Sequence, residues 1–129
     1  MWTGMGFYVE MTCKESDPLR RQSGLQVPVY LDSAMEAFFQ FSFSSDRPEG
    51  PSPYINLEFN ANGALLAQYG YARTGRTLFS MDECRRLSCR TEIQDDRWTL
   101  SFRLPLSILE GIYGIAGFGP SDTFSCNFY

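Results

Sequence analysis

Residues 54–63, YINLEFNANG, alternate with a period of two: Ile55, Leu57 and Phe59 are apolar, while Tyr54, Asn56, Glu58 and Asn60 are not. Successive side chains on a β-strand point to opposite faces, so this stretch reads as a strand with one buried, apolar face. Its Asn62-Gly63 step is a hairpin signal, and ALLAQYGYA (64–72) is the natural return strand. The second face carries an aromatic ring, amides and a carboxylate. Strands generally disfavour Asn. The approach to the turn accounts for Asn60 and Asn62 but not for Asn56, which makes this face a candidate ligand surface.

The same alternation recurs on either side. GFYVEMTC (6–13) sets Phe7, Val9, Met11 and Cys13 on one face, and KESDPLRRQSG (14–24) then reads as a loop. From Ser33 onward Met35, Ala37, Phe39, Phe41 and Phe43 share one side, with Glu36, Phe38, Gln40 and Ser42 on the other. SDRPEGPSP (45–53) is a proline-rich hairpin loop. RTGRTLFSMDECRRL (73–87) is irregular, with room for one helical turn. SCRTEIQ (88–94), an Asp95-Asp96 turn and RWTLSFRLP (97–105) form another hairpin, in which Trp98, Leu100, Phe102 and Leu104 face the core. LSILEG (106–111) reads as a short helix plugging one end, GIYGIAGFGPSD (111–122) as a glycine-rich loop, and TFSCNFY (123–129) as a last strand. Six or seven strands, turn signals between them and no long helix predict an all-β fold. The expectation is an antiparallel β-sandwich, immunoglobulin-like or jelly-roll-like, with at most short helical turns. A chain of 129 residues suits a single domain, 1–129.

Composition narrows the function classes. The net charge of −4 disfavours nucleic acid, which requires clustered Lys and Arg. No run of about 18 apolar residues reads as a membrane span, and the opening residues lack the basic start and apolar core of a signal peptide. The localisation is therefore left unassigned. Nothing in the chain signals export, so Cys13, Cys84, Cys89 and Cys126 are expected to be mostly free, buried thiols. The absence of histidine removes Ser-His-Asp and Cys-His catalysis and His-based metal sites. The cysteine spacing fits no zinc knuckle, so no metal ligands are assigned.

Glu36 and Glu58 fall on the polar faces of two strands that the 45–53 loop makes neighbours. Three readings of them stand open: pairing with an arginine such as Arg73, Arg76, Arg97 or Arg103, hydrogen bonding to a ligand, or a carboxylate pair for glycoside hydrolysis. An open sheet face excludes little water, which argues against acid catalysis. Amides such as Asn56 and Asn60 offer both a donor and an acceptor, as a ring of hydroxyls requires. Tyr54 and Phe38 would supply flat apolar surface for a sugar, or simply pack beneath a loop.

Four blocks, VYLDSAMEAFFQF (29–41), YINLEFNANGALLAQYG (54–70), RWTLSFRLPLSIL (97–109) and SDTFSCNFY (121–129), resemble the family 9 carbohydrate-binding modules in their broader, family 9-like group. That group places an Asp-Ser-x-x-Glu strand before a Tyr-x-Asn-x-Glu-Phe-Asn-x-x-Gly strand, then a Trp-led segment and a terminal Asn-Phe-Tyr. The resemblance implies a non-catalytic β-sandwich that binds mono- or oligosaccharides, is attached to or neighbours a glycoside hydrolase, and carries structural calcium in some members. Asp32, Ser33 and Glu36 match the group's first block and Tyr54, Asn56, Glu58 and Asn60 its second; with Phe38 added from the reading of the strand faces, the expected sugar contacts are Glu36, Phe38, Tyr54, Asn56, Glu58 and Asn60, with no catalytic residue. The family pattern has further strands on both flanks, so the chain reads as trimmed at both ends. The alternative is a structural or protein-interaction sandwich without a sugar site, and a carboxylate-pair glycosidase stands third.

Overall fold

The computed structural model describes residues 1, 4–43, 51–115 and 117–129. Eight strands follow the alternating segments: β1 Gly6–Cys13, β2 Ala34–Ser42, β3 Tyr54–Asn60, β4 Leu65–Gly70, β5 Thr77–Leu78, β6 Arg90–Ile93, β7 Trp98–Pro105 and β8 Thr123–Phe128. They form two antiparallel sheets, one of three strands in the order β1-β7-β6 and one of five in the order β5-β4-β3-β2-β8. Among the described residues the helices are short, α1 Met81–Arg86 and α2 Leu106–Tyr113. The expected all-β sandwich is the architecture found. The 45–53 loop joins β2 to β3, which pair as the expected hairpin. Its residues 45–50 lie outside the described residues, as does Ala116 of the glycine-rich stretch.

The inward faces are those that the alternation marks. Met35, Ala37 and Phe39 of β2 stand opposite Phe59, Leu57 and Ile55 of β3, and all six are buried. From the other sheet Trp98, Leu100, Phe102 and Leu104 close the core. The layers meet where the Phe59 and Phe102 rings stack at 4.9 Å. Trp98 is buried and donates its indole N–H to Glu15 at 3.2 Å, which satisfies its one polar atom.

The irregular 73–87 stretch resolves into β5 and α1. Ser80 caps α1: its hydroxyl accepts from the Glu83 N–H and the Glu83 carboxylate accepts from the Ser80 N–H, a capping box. α2 runs two residues beyond LSILEG and stops at Gly114, whose φ of +63° is left-handed. It packs against β1 and β7 and buries Ile108, Leu109 and Tyr113. All four cysteines are free thiols, but only Cys84 is buried; Cys13 and Cys89 are half-buried and Cys126 is exposed. The reason is position: Cys126 lies on the edge strand β8, whose residues are all exposed although Phe124 and Phe128 touch core rings.

The inter-sheet ring stack should dominate stability. Phe59→Ala removes a fully buried aromatic and is expected to cost about 3–5 kcal/mol. Urea unfolding followed by Trp fluorescence would measure it, and a loss below about 1 kcal/mol would mean the two layers do not meet there.

Candidate functional site

The second face of β3 is not wet. Asn56 and Asn60 are fully buried and Glu58 is 7% exposed, so the reading of this face as an open, solvated platform is corrected. β3 is the central strand of its sheet, and two irregular segments lie over its outer face. Over its C-terminal end, residues 15–33 are tied to Asn60. The Asn60 side chain donates to the Gln22 carbonyl (2.9 Å) and to Asp32 Oδ2 (2.8 Å). It also accepts from the N–H groups of Asn62 and Ala64. Asp32 Oδ2 also accepts from the Gln22 N–H, and Ser33 Oγ accepts from the Leu19 N–H and donates to Glu15. Although desolvation pushes the other way, the hydrogen bonds from Gln22 and Asn60 hold the Asp32 carboxyl below the usual range.

Over the N-terminal end of β3 the cover is Arg76. Its Nε donates to the Tyr54 hydroxyl (2.8 Å) and its Nη1 to Asn56 Oδ1 (2.9 Å), and the guanidinium carbon stands 5.1 Å from the Tyr54 ring centre. Gln68 of β4, opposite Asn56, also donates to Asn56 Oδ1. Asn56 Nδ2 is buried without a partner.

Between these two covers lies a groove of ≈ 610 Å³. Its floor is Glu36 and Phe38 of β2 with Tyr54 and Glu58 of β3, continued by Leu66 and Gln68 of β4. Tyr30, Arg73 and Arg76 form its walls. Phe38 stands 6.1 Å from the Tyr54 ring and edge-on to Tyr129 at 5.8 Å. Glu36 and Glu58 are directly opposed across the ladder. The Glu36 N–H and C=O both bond Tyr129 (2.9 and 3.0 Å), so they point toward β8. The Glu36–Glu58 pair is therefore of the non-hydrogen-bonded type, the closer of the two, with Cα atoms about 4.5 Å apart. Burial, then the neighbouring Glu36 charge, raises the Glu58 pKa above its ordinary 4.5, against a smaller opposing pull from Arg76. Glu58 Oε2 is buried and has no hydrogen-bond partner.

Of the six residues singled out in the sequence, Glu36, Phe38, Tyr54 and Glu58 line the groove. Asn56 lies beneath Arg76, and Asn60 is committed to the turn and the 15–33 segment. Tyr30, Leu66 and Gln68 escaped the sequence reading, and Arg73 and Arg76 entered it only as candidate partners of the two glutamates. Gln68 could have been found by carrying the Asn-Gly hairpin register back to Asn56, whereas the arginines sit in a stretch without periodicity. Of the three readings left open for the two glutamates, an arginine ion pair is not formed: among the described residues neither has a Lys or Arg nitrogen within 4.0 Å. Arg97 pairs with Asp96 instead.

Calcium takes six to eight oxygen ligands, and among the described residues no three acidic or thiol side chains converge to hold a metal. The most oxygen-rich spot is the Asp32–Glu15 knot. There only Asp32 Oδ1 is buried without a partner, while Asp32 Oδ2 and both Glu15 oxygens accept hydrogen bonds. The described residues do not fit a calcium cage.

No protein-family model matches the chain, and no curated protein matches it. A crystal structure does, that of a "putative carbohydrate-binding protein" from Bacteroides uniformis ATCC 8492. The TM-score is 0.73 at 22% sequence identity, with 98% of this chain covered. The chain spans 58% of that protein's length. At this identity the likeness establishes the fold, and the family 9-like grouping rests on the four sequence blocks alone.

Two outcomes follow. Asn60→Ala strands two backbone N–H groups and frees the 15–33 segment, and should cost about 2–3 kcal/mol in a thermal melt. Faster amide hydrogen exchange over residues 19–33 would localise the loss. Glu58 binds its proton more tightly folded than unfolded, so its contribution to stability is full below pH 4.5 and is lost as pH rises through the higher folded value. Glu58→Gln should remove that loss, so the parent's stability relative to the variant's falls as pH rises through this window; an identical pH dependence in parent and variant would refute the burial of the carboxyl.

Proposed function

We propose that the chain is a non-catalytic, family 9-like carbohydrate-binding module that holds a mono- or oligosaccharide in the groove over β2 and β3, in association with a glycoside hydrolase. The observation that carries the reading is Glu58, a buried carboxylate with an unpartnered oxygen, at the floor of a groove that also presents aromatic faces. A sugar offers both complements: hydroxyl donors for the carboxylate and an apolar C–H face for Phe38 and Tyr54. Groups of both charges and an amide surround that floor, as a polyhydroxyl ligand requires. The solved neighbour's description as a carbohydrate-binding protein agrees with it.

Catalysis is the weaker use of the two carboxylates. They are directly opposed on one sheet face, rather than on two sides of a scissile bond. A second reading, an interaction domain without a sugar site, draws on β8. This edge strand exposes Phe124 at 40%, Phe128 at 45% and Tyr129 at 70%, and apolar edges recruit partners.

Isothermal titration with mono- and disaccharides separates the two. A shallow groove should bind near the millimolar range, where a Kd of about 1 mM is roughly 4 kcal/mol. Phe38→Ala and Glu58→Gln should each weaken binding about tenfold or more, since a hydrogen bond to a charged group contributes about 1.5–3 kcal/mol. Absence of heat with every sugar well beyond that range would favour the interaction domain.

A further inference from the structure

Two carboxylates meet in the groove, and among the described residues neither forms an ion pair. Glu36 and Glu58 occupy the closer kind of cross-strand pair, an arrangement that is destabilising for like charges. Arg76 gives its hydrogen bonds to Tyr54 and Asn56 instead. Arg73 is exposed on the groove wall. Among the described residues, the other titratable groups about the pair are the phenols of Tyr30 and Tyr54 and, across the ladder from Glu36 beyond β8, that of Tyr129, while β4 contributes Leu66 and Gln68. The floor of the groove therefore sets two carboxylates side by side below the wall arginines, with Glu58 Oε2 lacking any donor.

A neutral sugar hydroxyl supplies one donor to such a pair and leaves the repulsion in place. An ammonium supplies three donors and a positive charge in a compact head, and bonds of the N⁺–H···O⁻ kind are about twice as strong as neutral ones. Phe38 lies two residues along β2 from Glu36, about 6.8 Å away, on the same face. A pyranose whose amino nitrogen sits at the carboxylates can thus lay its ring toward Phe38.

We propose that the groove selects amino sugars bearing a free ammonium, seated between Glu36 and Glu58 with the ring against Phe38; this rests on the sugar-binding reading above. Arg73 and Arg76 line the same groove, and Arg76, bonded to Tyr54 and Asn56, exerts a smaller pull on Glu58 than burial and Glu36 do. The raised affinity of Glu58 for protons has the same origin, burial beside a second carboxylate.

The test is calorimetric titration of the whole chain with D-glucosamine, N-acetyl-D-glucosamine and D-glucose, in buffer with a chelator to exclude metal ions. Glucosamine is expected to bind about tenfold tighter than either of the others. Its advantage should shrink at high pH as its amine loses the proton, and at low pH as Glu58 gains one. Glu36→Gln should pull the glucosamine to N-acetylglucosamine affinity ratio toward one, whatever the absolute affinities become. Equal binding of all three sugars, or preference for the acetylated one, overturns the inference and leaves the sugar reading standing. Equal competition by a ringless amine such as ethylammonium also overturns it, since the ring would then contribute nothing. No binding by any of the three sugars overturns both.

Discussion

The register of β2 against β3 is the constraint from which the rest follows. Because side chains alternate, a slip of one residue would carry Phe39, Phe41, Leu57 and Phe59 out to the solvent face. Burial of those side chains on one face locks the ladder, and the lock places Glu36 opposite Glu58 on the other. The groove chemistry is thus set by apolar packing on the far side of the sheet. Tyr129 reinforces it, since its two backbone bonds to Glu36 turn that residue's polar groups toward β8 and bring the glutamates into the closer pairing. The like-charge contact is a consequence of sheet geometry that the sequence tolerates at its centre.

The signature residues divide between two tasks. In the Asp-Ser-x-x-Glu block, Asp32 and Ser33 hold the 15–33 segment down through Gln22, Leu19 and Glu15, while Glu36 alone reaches the groove. In the β3 block, Tyr54 and Glu58 line the groove, Phe59 stacks on the opposite sheet, and Asn60 organises the turn that Gly63 completes with a φ of +77°. A shared sequence pattern of this kind therefore carries information about fold as well as ligand. Much of its length is explained by how loops must be fastened over a sheet, and the terminal Asn-Phe-Tyr adds a ring, Tyr129, against Phe38.

What could be read from the sequence follows the same division. The strands, their inward faces, the Asn-Gly hairpin and the adjacency of Glu36 to Glu58 all express a period of two, which is local and legible. The burial of Asn56 and Asn60 does not. It is produced by segments without periodicity: Asp32 arrives from 28 residues upstream and Arg76 from 20 downstream. Polar residues on a strand then look solvated when they are in fact clamped. Asn56 was the informative anomaly, since no turn explained it, yet its Oδ1 receives Arg76 and Gln68 rather than facing the groove.

Glu58 remains the residue whose presence the fold alone does not explain. Asn60 is satisfied through both its amide atoms and Asn56 through its Oδ1 alone, whereas the second oxygen of Glu58 is a buried acceptor without a partner, and leaving a buried polar group unmet costs about 1–3 kcal/mol. A glutamine would lower the repulsion with Glu36, and a leucine like Leu66 across the ladder would pack against the sheet. Either would relieve a fold that has only about 5–15 kcal/mol of net stability. Local conflicts of this sort concentrate where a protein meets a ligand, because the missing donor can come from outside. On the proposed function, the unpaired oxygen, the opposed carboxylate and the adjacent aromatic faces are one device: their conflict is a cost to the sandwich by itself, and a donor-rich ring in the groove would relieve it.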